Sequence, residues 1–320
     1  MSIFEGIWVP LVTPFAQSQD QHIDVDAAQK LADHMVENGV HGLVVGGTTG
    51  EAATLSEEEQ TTLLEAVIEA VDGRCPVVMG IAGNDTRAVA AKAARFNCYD
   101  LAGLLISAPA YVKPAQVGIV RHFQAIAAET DHPIIIYNIP GRTGVNITLG
   151  TVELLAKNPQ FVAIKESGGD VLQLTELVHN TELQVLCGDD TLILPTLLLG
   201  GHGAISAAAH IRPDLYVRLY ALMRAGEVAQ ARAIFDNLLP LIRILFSEPN
   251  PAPVKAALAL QNRLCNTLRL PMTPMSEGGQ RRLAIALEQT MHLSRYPQLV
   301  PEIPGLADTL KLPSKKLMSA

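Results

Sequence analysis

Aromatic side chains are scarce in this 320-residue sequence: they make up 4% of it and include a single Trp, so Ala, Leu, Val and Gly must carry the packing. Basic residues are also in deficit, with 24 Lys and Arg against 32 Asp and Glu. The formal charge of −8 speaks against a nucleic-acid partner, which would call for a basic face. Only four cysteines occur, Cys75, Cys98, Cys187 and Cys265, with no CxxC pair and no histidine at metal-ligand spacing. That excludes a disulfide scaffold and gives no metal site. No apolar run approaches the length of a membrane span. The N-terminus shows no basic region leading into an apolar stretch and a cleavage site. These absences predict a cytoplasmic protein with reduced thiols, no membrane association and small-molecule partners.

What the chain does have is apolar residues, 48% of the total, in short continuous runs. Eight runs, at 6–15, 42–47, 75–81, 103–107, 133–139, 161–166, 183–188 and 203–207, read as strands buried on both faces of a parallel sheet. Amphipathic stretches lie between them, at 24–38, from the Ser56 cap onward, and at 85–96, 114–130, 149–157, 170–179, 190–199 and 213–225. Ser56-Glu57-Glu58-Glu59 is a strong helix start, with a hydroxyl cap and acids in the first turn. Eight strand–helix units predict an α/β fold, a (β/α)8 TIM barrel, over residues 1–226. An open doubly wound sheet is the alternative, but no GxGxxG turn follows a strand. Residues 227–320 read as a C-terminal helical domain, with helices at 227–245, 253–264 and 276–290. Pro253 suits the first turn of the second of these. A Pro-rich tail from His292 follows, its end expected to be loose.

Lys165 closes the sixth run, Phe161-Val162-Ala163-Ile164-Lys165-Glu166. An amine at the end of an apolar strand is costly to keep charged, and burial favours the neutral form that attacks carbonyls. A lysine paired with a carboxylate such as Glu166 is the other reading. In a barrel of this kind, reactive groups sit at the carboxyl ends of the strands, where Lys165 falls. Three further segments end there: Gly46-Gly47-Thr48-Thr49-Gly50-Glu51, Pro109-Ala110-Tyr111, and Tyr137-Asn138 running into Pro140-Gly141-Arg142-Thr143-Gly144. Each has a plain reading: a tight turn, a tyrosine packed at an interface, a core tyrosine and a solvated arginine. Together they suggest one chemistry. Lys165 condenses with a keto acid, and the imine acidifies the adjacent methyl to give an enamine. Tyr137 moves protons through another hydroxyl. The amides of the threonine turn hold one carboxylate, and Arg142 holds a second.

Gly47-Thr48-Thr49-Gly50-Glu51, Tyr137-Asn138-Ile139-Pro140-Gly141-Arg142-Thr143-Gly144 and Ile164-Lys165-Glu166 resemble the pyruvate-dependent class I aldolases and lyases, the N-acetylneuraminate lyase family. The likeness runs from about Gly6 to about Leu287. It includes Glu248-Pro249-Asn250-Pro251 with Val254-Lys255, and Leu270-Pro271-Met272-Thr273-Pro274. The resemblance implies a lyase without a cofactor. Lys165 would form the Schiff base with pyruvate, and Tyr137 would shuttle protons with Thr48 and Tyr111. Tyr111 would reach across a tight dimer interface. Thr48 and Thr49 would bind the pyruvate carboxylate, Arg142 the carboxylate of L-aspartate 4-semialdehyde, and Gly188 and Ile205 would line the pocket. The expected route is lysine biosynthesis through diaminopimelate, and the expected assembly a homotetramer, a dimer of dimers.

Arg142 separates this reading from sugar-acid aldolases of the same family, whose aldehyde partners are polyols. A non-catalytic keto-acid-binding barrel is a third possibility, against which the proton relay speaks. The chain also departs from the family pattern. Ala110 stands where many members have a first tyrosine of a pair. Ala52, Glu57, Gln60 and Ala88 replace polar or histidine ligands of the lysine feedback site, although Asn84 matches. Weak or absent inhibition by L-lysine is the expectation.

Overall fold

The structure, a computed structural model, describes residues 4–291. The tail from His292 named above lies outside the described residues.

Eight parallel strands close into a barrel in sequence order, β1 next to β8. They are β1 Gly6–Pro10, β2 Gly42–Val45, β3 Val77–Ile81, β4 Gly103–Ser107, β5 Ile134–Asn138, β6 Phe161–Glu166, β7 Gln184–Cys187 and β8 Gly203–Ile205. Side chains alternate between the two faces of each strand. Trp8, Val44, Val78, Leu105, Ile135, Ala163, Leu186 and Ile205, one from each strand, fill the barrel interior as one cluster. The intervening residues, such as Val9, Val45, Met79, Ile136 and Ile164, face the surrounding helices and form the larger outer core. Closure needs a glycine, because a Cβ at Gly203 would collide with the Gly6 carbonyl.

The outer helices are α1 Val25–Glu37, α2 Glu57–Val71, α3 Thr86–Arg95, α4 Gln116–Ala127, α5 Pro140–Thr143, α6 Leu149–Ala156, α7 Val171–Asn180, α8 Ile193–Leu198 and α9 Pro213–Arg224. Ser56 and Glu59 form the full capping box at α2, as the sequence predicts. After Gly226 come α10 Val228–Leu245, α11 Ala252–Leu260 and α12 Glu277–Met291. No helix among the described residues is long and apolar enough to cross a membrane.

Three elements differ from the sequence pattern, one of them the helix expected at 253–264, which ends at Leu260. The first strand stops at Pro10 rather than running to 15. Beyond it the Leu11 amide still bonds the Val44 carbonyl, the Val12 amide donates to His210, and the Thr13 hydroxyl donates to the Gly50 carbonyl at 2.6 Å. The segment after β5, which lies outside the helices expected from the sequence, contains the one-turn helix α5. Pro140 opens it, and Gly144, at φ 77°, ends it in the left-handed region.

Candidate active site

Lys165 and Tyr137 are register partners on adjacent strands, at the carboxyl ends of β6 and β5. Tyr137 belongs to the interior cluster, and Lys165 lies two residues beyond Ala163 on the same face. Both are buried, and the Lys165 ammonium nitrogen sits 4.3 Å from the Tyr137 ring centroid. Among the described residues Lys165 makes no hydrogen bond and no ion pair.

The carboxylate suggested as its partner is elsewhere. Glu166, the next residue along the strand, points to the opposite face, so the Lys165–Glu166 pair is excluded. Asn138 donates to both Glu166 oxygens, at 2.9 and 3.0 Å, and the Gly168 amide and the Gln173 side chain also donate to Glu166, at 2.6 and 3.0 Å. Burial raises the Glu166 pKa, and these donors act against that shift. Behind the Tyr137–Lys165 pair there is thus an Asn138–Glu166 pair in the same register.

Lys165 and Tyr137 open into a cavity of about 740 Å³ at the barrel mouth. Thr48 and Thr49 line it from the β2 side, Arg142 from α5, and Gly188 and Ile205 from the ends of β7 and β8. Gly188 has to be small: a Cβ there would run into the Ser167 hydroxyl and the Lys165 side chain. Thr48–Gly50 forms a short 3-10 turn in which Gly50 N bonds Gly47 O and Glu51 N bonds Thr48 O. The Thr48 and Thr49 amides have no backbone partner among the described residues. Thr49 Oγ1 accepts from Asn250 Nδ2 at 2.9 Å, which leaves its own hydrogen to donate. Arg142 is exposed and donates to the Asn250 carbonyl at 3.3 Å. A second cavity of about 270 Å³ shares Thr48, Tyr137 and Arg142 with the first.

Seven of the eight residues proposed from the sequence therefore meet in one cavity. Tyr111 does not. It is 87% exposed, with φ 68°, and its amide donates to the Thr143 carbonyl beside Arg142. That backbone region is costly for a tyrosine.

The sequence reading missed Ser167, Asp189, Asp190 and the segment carrying Asn250, all of which line the cavity. Asp190 is buried, accepting from the Ser206 hydroxyl and, at 2.9 Å, from the Ala208 amide. Burial pushes its pKa up to about 6, with its hydrogen bonds and the Lys165 charge pulling the other way. Two acids directly after a strand end were a readable signal. Asn250 had none, since only folding brings it to Thr49. The thiols of Cys75 and Cys187 are buried, and burial pushes both up to about 12, so they are inert.

The family model of the Dihydrodipicolinate synthetase family matches residues 3–290. The chain is 40% identical over 285 residues to 4-hydroxy-tetrahydrodipicolinate synthase 1 of Halalkalibacterium halodurans, covering 88% of this chain and 96% of the relative. It is 42% identical over 284 residues to the 4-hydroxy-tetrahydrodipicolinate synthase of Syntrophobacter fumaroxidans, covering 88% and 97%. Among solved structures, the 4-hydroxy-tetrahydrodipicolinate synthase of Methylacidiphilum fumariolicum SolV superposes with a TM-score of 0.89 at 37% identity, covering 92% and 99%.

Proposed function

The chain belongs to the dihydrodipicolinate synthetase family, and from that premise we propose that its barrel mouth condenses pyruvate with L-aspartate 4-semialdehyde through a Schiff base on Lys165. The chain is a pyruvate-condensing lyase of lysine biosynthesis. The observation that carries the assignment of residues is the unpaired amine of Lys165, 4.3 Å from the Tyr137 ring, facing a cavity that Arg142 also lines.

The Lys165 nitrogen adds to the C2 carbonyl of pyruvate, and loss of water leaves the imine. Removal of a methyl proton gives the enamine, whose carbon attacks the aldehyde, and a proton delivered through Tyr137 quenches the alkoxide. The amine of the semialdehyde then attacks the imine carbon and frees Lys165, giving cyclic 4-hydroxy-tetrahydrodipicolinate. Thr48 and Thr49 hold the pyruvate carboxylate, and Arg142 holds that of the semialdehyde. Gly188 and Ile205 bound the space.

Tyr111 completes the relay from a neighbouring chain. Its exposure, and its absence from the cavity of its own chain, support this placement. The corresponding assembly is a homotetramer, a dimer of dimers, in the cytoplasm. The same reading divides the chain into the catalytic barrel, 1–226, and a C-terminal unit, 227–320, which is helical over its described residues and lines the mouth through Asn250.

A coupled assay with pyruvate and the semialdehyde tests the reaction. Turnover is expected there and not with 2-keto-3-deoxy sugar acids; the reverse preference overturns the substrate assignment. Arg142→Ala should still trap pyruvate at Lys165 but raise the KM for the semialdehyde about 10²-fold, by loss of a charge-assisted pair.

A further inference from the structure

Glu51 ends the turn that carries Thr48 and Thr49, yet nothing in the reaction above uses its side chain. It is buried, with its backbone at φ 53°, a left-handed position that is costly for any residue but glycine, asparagine or aspartate. Its carboxylate lies 2.5 Å from the ammonium of Lys255, which is fully buried in α11, 204 positions along the chain. Lys255 also donates to the Thr267 carbonyl at 2.7 Å and sits 4.2 Å from the Phe15 ring centroid. The second Glu51 oxygen accepts from the Arg269 amide at 3.2 Å.

A buried ion pair adds little stability over well-packed apolar residues, so stability alone does not account for it. It does fix direction. Glu51 N bonds the Thr48 carbonyl, so anchoring the Glu51 side chain sets the position of Thr48. The segment that brings Lys255 to Glu51 also brings Asn250 to the Thr49 hydroxyl. Two tethers from 250–255 therefore hold the turn, and Thr13 holds the Gly50 carbonyl.

We propose that Glu51 and Lys255 are positioning residues. Their buried pair sets the Thr48–Thr49 turn so that its free donors meet the carboxylate of the keto acid, and so makes pyruvate binding depend on the docking of α11. The inference rests on the assignment of that turn to pyruvate.

The test is steady-state kinetics and thermal melting of Glu51→Gln, Lys255→Met and the double variant. In the single variants the KM for pyruvate should rise about tenfold, because small misplacements of binding groups are costly. The KM for the semialdehyde at saturating pyruvate should stay within about twofold of the parent. The double variant removes the unpaired buried charge, so its melting temperature should recover above that of Lys255→Met while its pyruvate KM stays high. A pyruvate KM that recovers with the melting temperature, or never rises, overturns the proposal. If Lys255→Met does not fold, Glu51→Gln decides by the same pyruvate KM, since it removes the ion pair without changing the size of the side chain. Borohydride trapping of the unaltered protein separates the two readings. No pyruvate adduct at Lys165 sinks the functional assignment and this inference with it, whereas a normal adduct with unchanged KM values in the variants sinks this inference alone.

Discussion

Among the described residues two lysines are buried, and the fold treats them in opposite ways. Lys255 is saturated: a carboxylate at 2.5 Å, a carbonyl at 2.7 Å and an aromatic ring enclose it, and it lines neither cavity at the mouth. Lys165 makes no hydrogen bond or ion pair among the described residues; it sits against the Tyr137 ring and opens into about 740 Å³. Burial pulls the Lys255 ammonium down to about 8 against the attraction of Glu51, so a shifted pKa alone would nominate Lys255 as the nucleophile. Geometry reverses that choice. A reactive amine needs space for a carbonyl and a hydroxyl to manage protons, and only Lys165 has both.

The largest effect that would break this contrast belongs to Lys165→Ala. It should lower kcat by about 10⁴-fold or more while the melting temperature holds, since no ion pair is lost. Tyr137→Phe comes next, with kcat down about 10²–10⁴-fold and circular dichroism unchanged, as for the loss of a general acid–base group. Lys255→Met should show the reverse pattern. Denaturant unfolding should register a loss of about 3–5 kcal/mol, from the unpaired Glu51, while pyruvate at saturation still traps at Lys165. A Lys255 variant that traps nothing although folded would erase the distinction.

His210 sharpens the comparison as another saturated base. It is fully buried, accepts the Val12 amide at one ring nitrogen, and at the other lies 2.8 Å from the Ala207 carbonyl, to which it donates as the neutral tautomer. Burial lowers its pKa from 6.5 to about 4. The unfolded chain then binds the extra proton first, so this contribution to stability is present above pH 6.5 and is lost as pH falls toward 4. The loss is roughly 3 kcal/mol at most, at 1.36 kcal/mol per pKa unit. In unfolding curves taken across that window, His210→Gln should lose less stability than the parent; an equal slope contradicts it.

The smallest effect concerns lysine as a free ligand. Glu57 is held by Arg95 at 2.5 Å, and Gln60 is buried with its amide on the Ala52 and Leu55 carbonyls, so both side chains are already engaged. Calorimetric titration with L-lysine should give no heat of tight binding; a saturable signal would refute this.

The contrast also shows what a sequence can carry. All eight strands were legible, because strands buried on both faces read as continuous apolar runs. Lys165, Tyr137, Thr48 and Arg142 were legible because strand ends in a barrel share one face. Glu166 as the partner of Lys165, the alternative reading, is one that alternation along a strand already forbids. Asn250 at Thr49, and Lys255 at Glu51, were not legible, since each contact joins segments about 200 positions apart and no periodicity records it. The α5 turn escaped for a different reason: four residues are too few for a helical pattern to repeat.

The most direct test is reduction with borohydride in the presence of pyruvate, followed by peptide mass mapping. A single reduced adduct on Lys165, with Lys255 unmodified, is the predicted result. An adduct on any other lysine, or none under conditions of turnover, would contradict the assignment of the unpaired amine as the nucleophile.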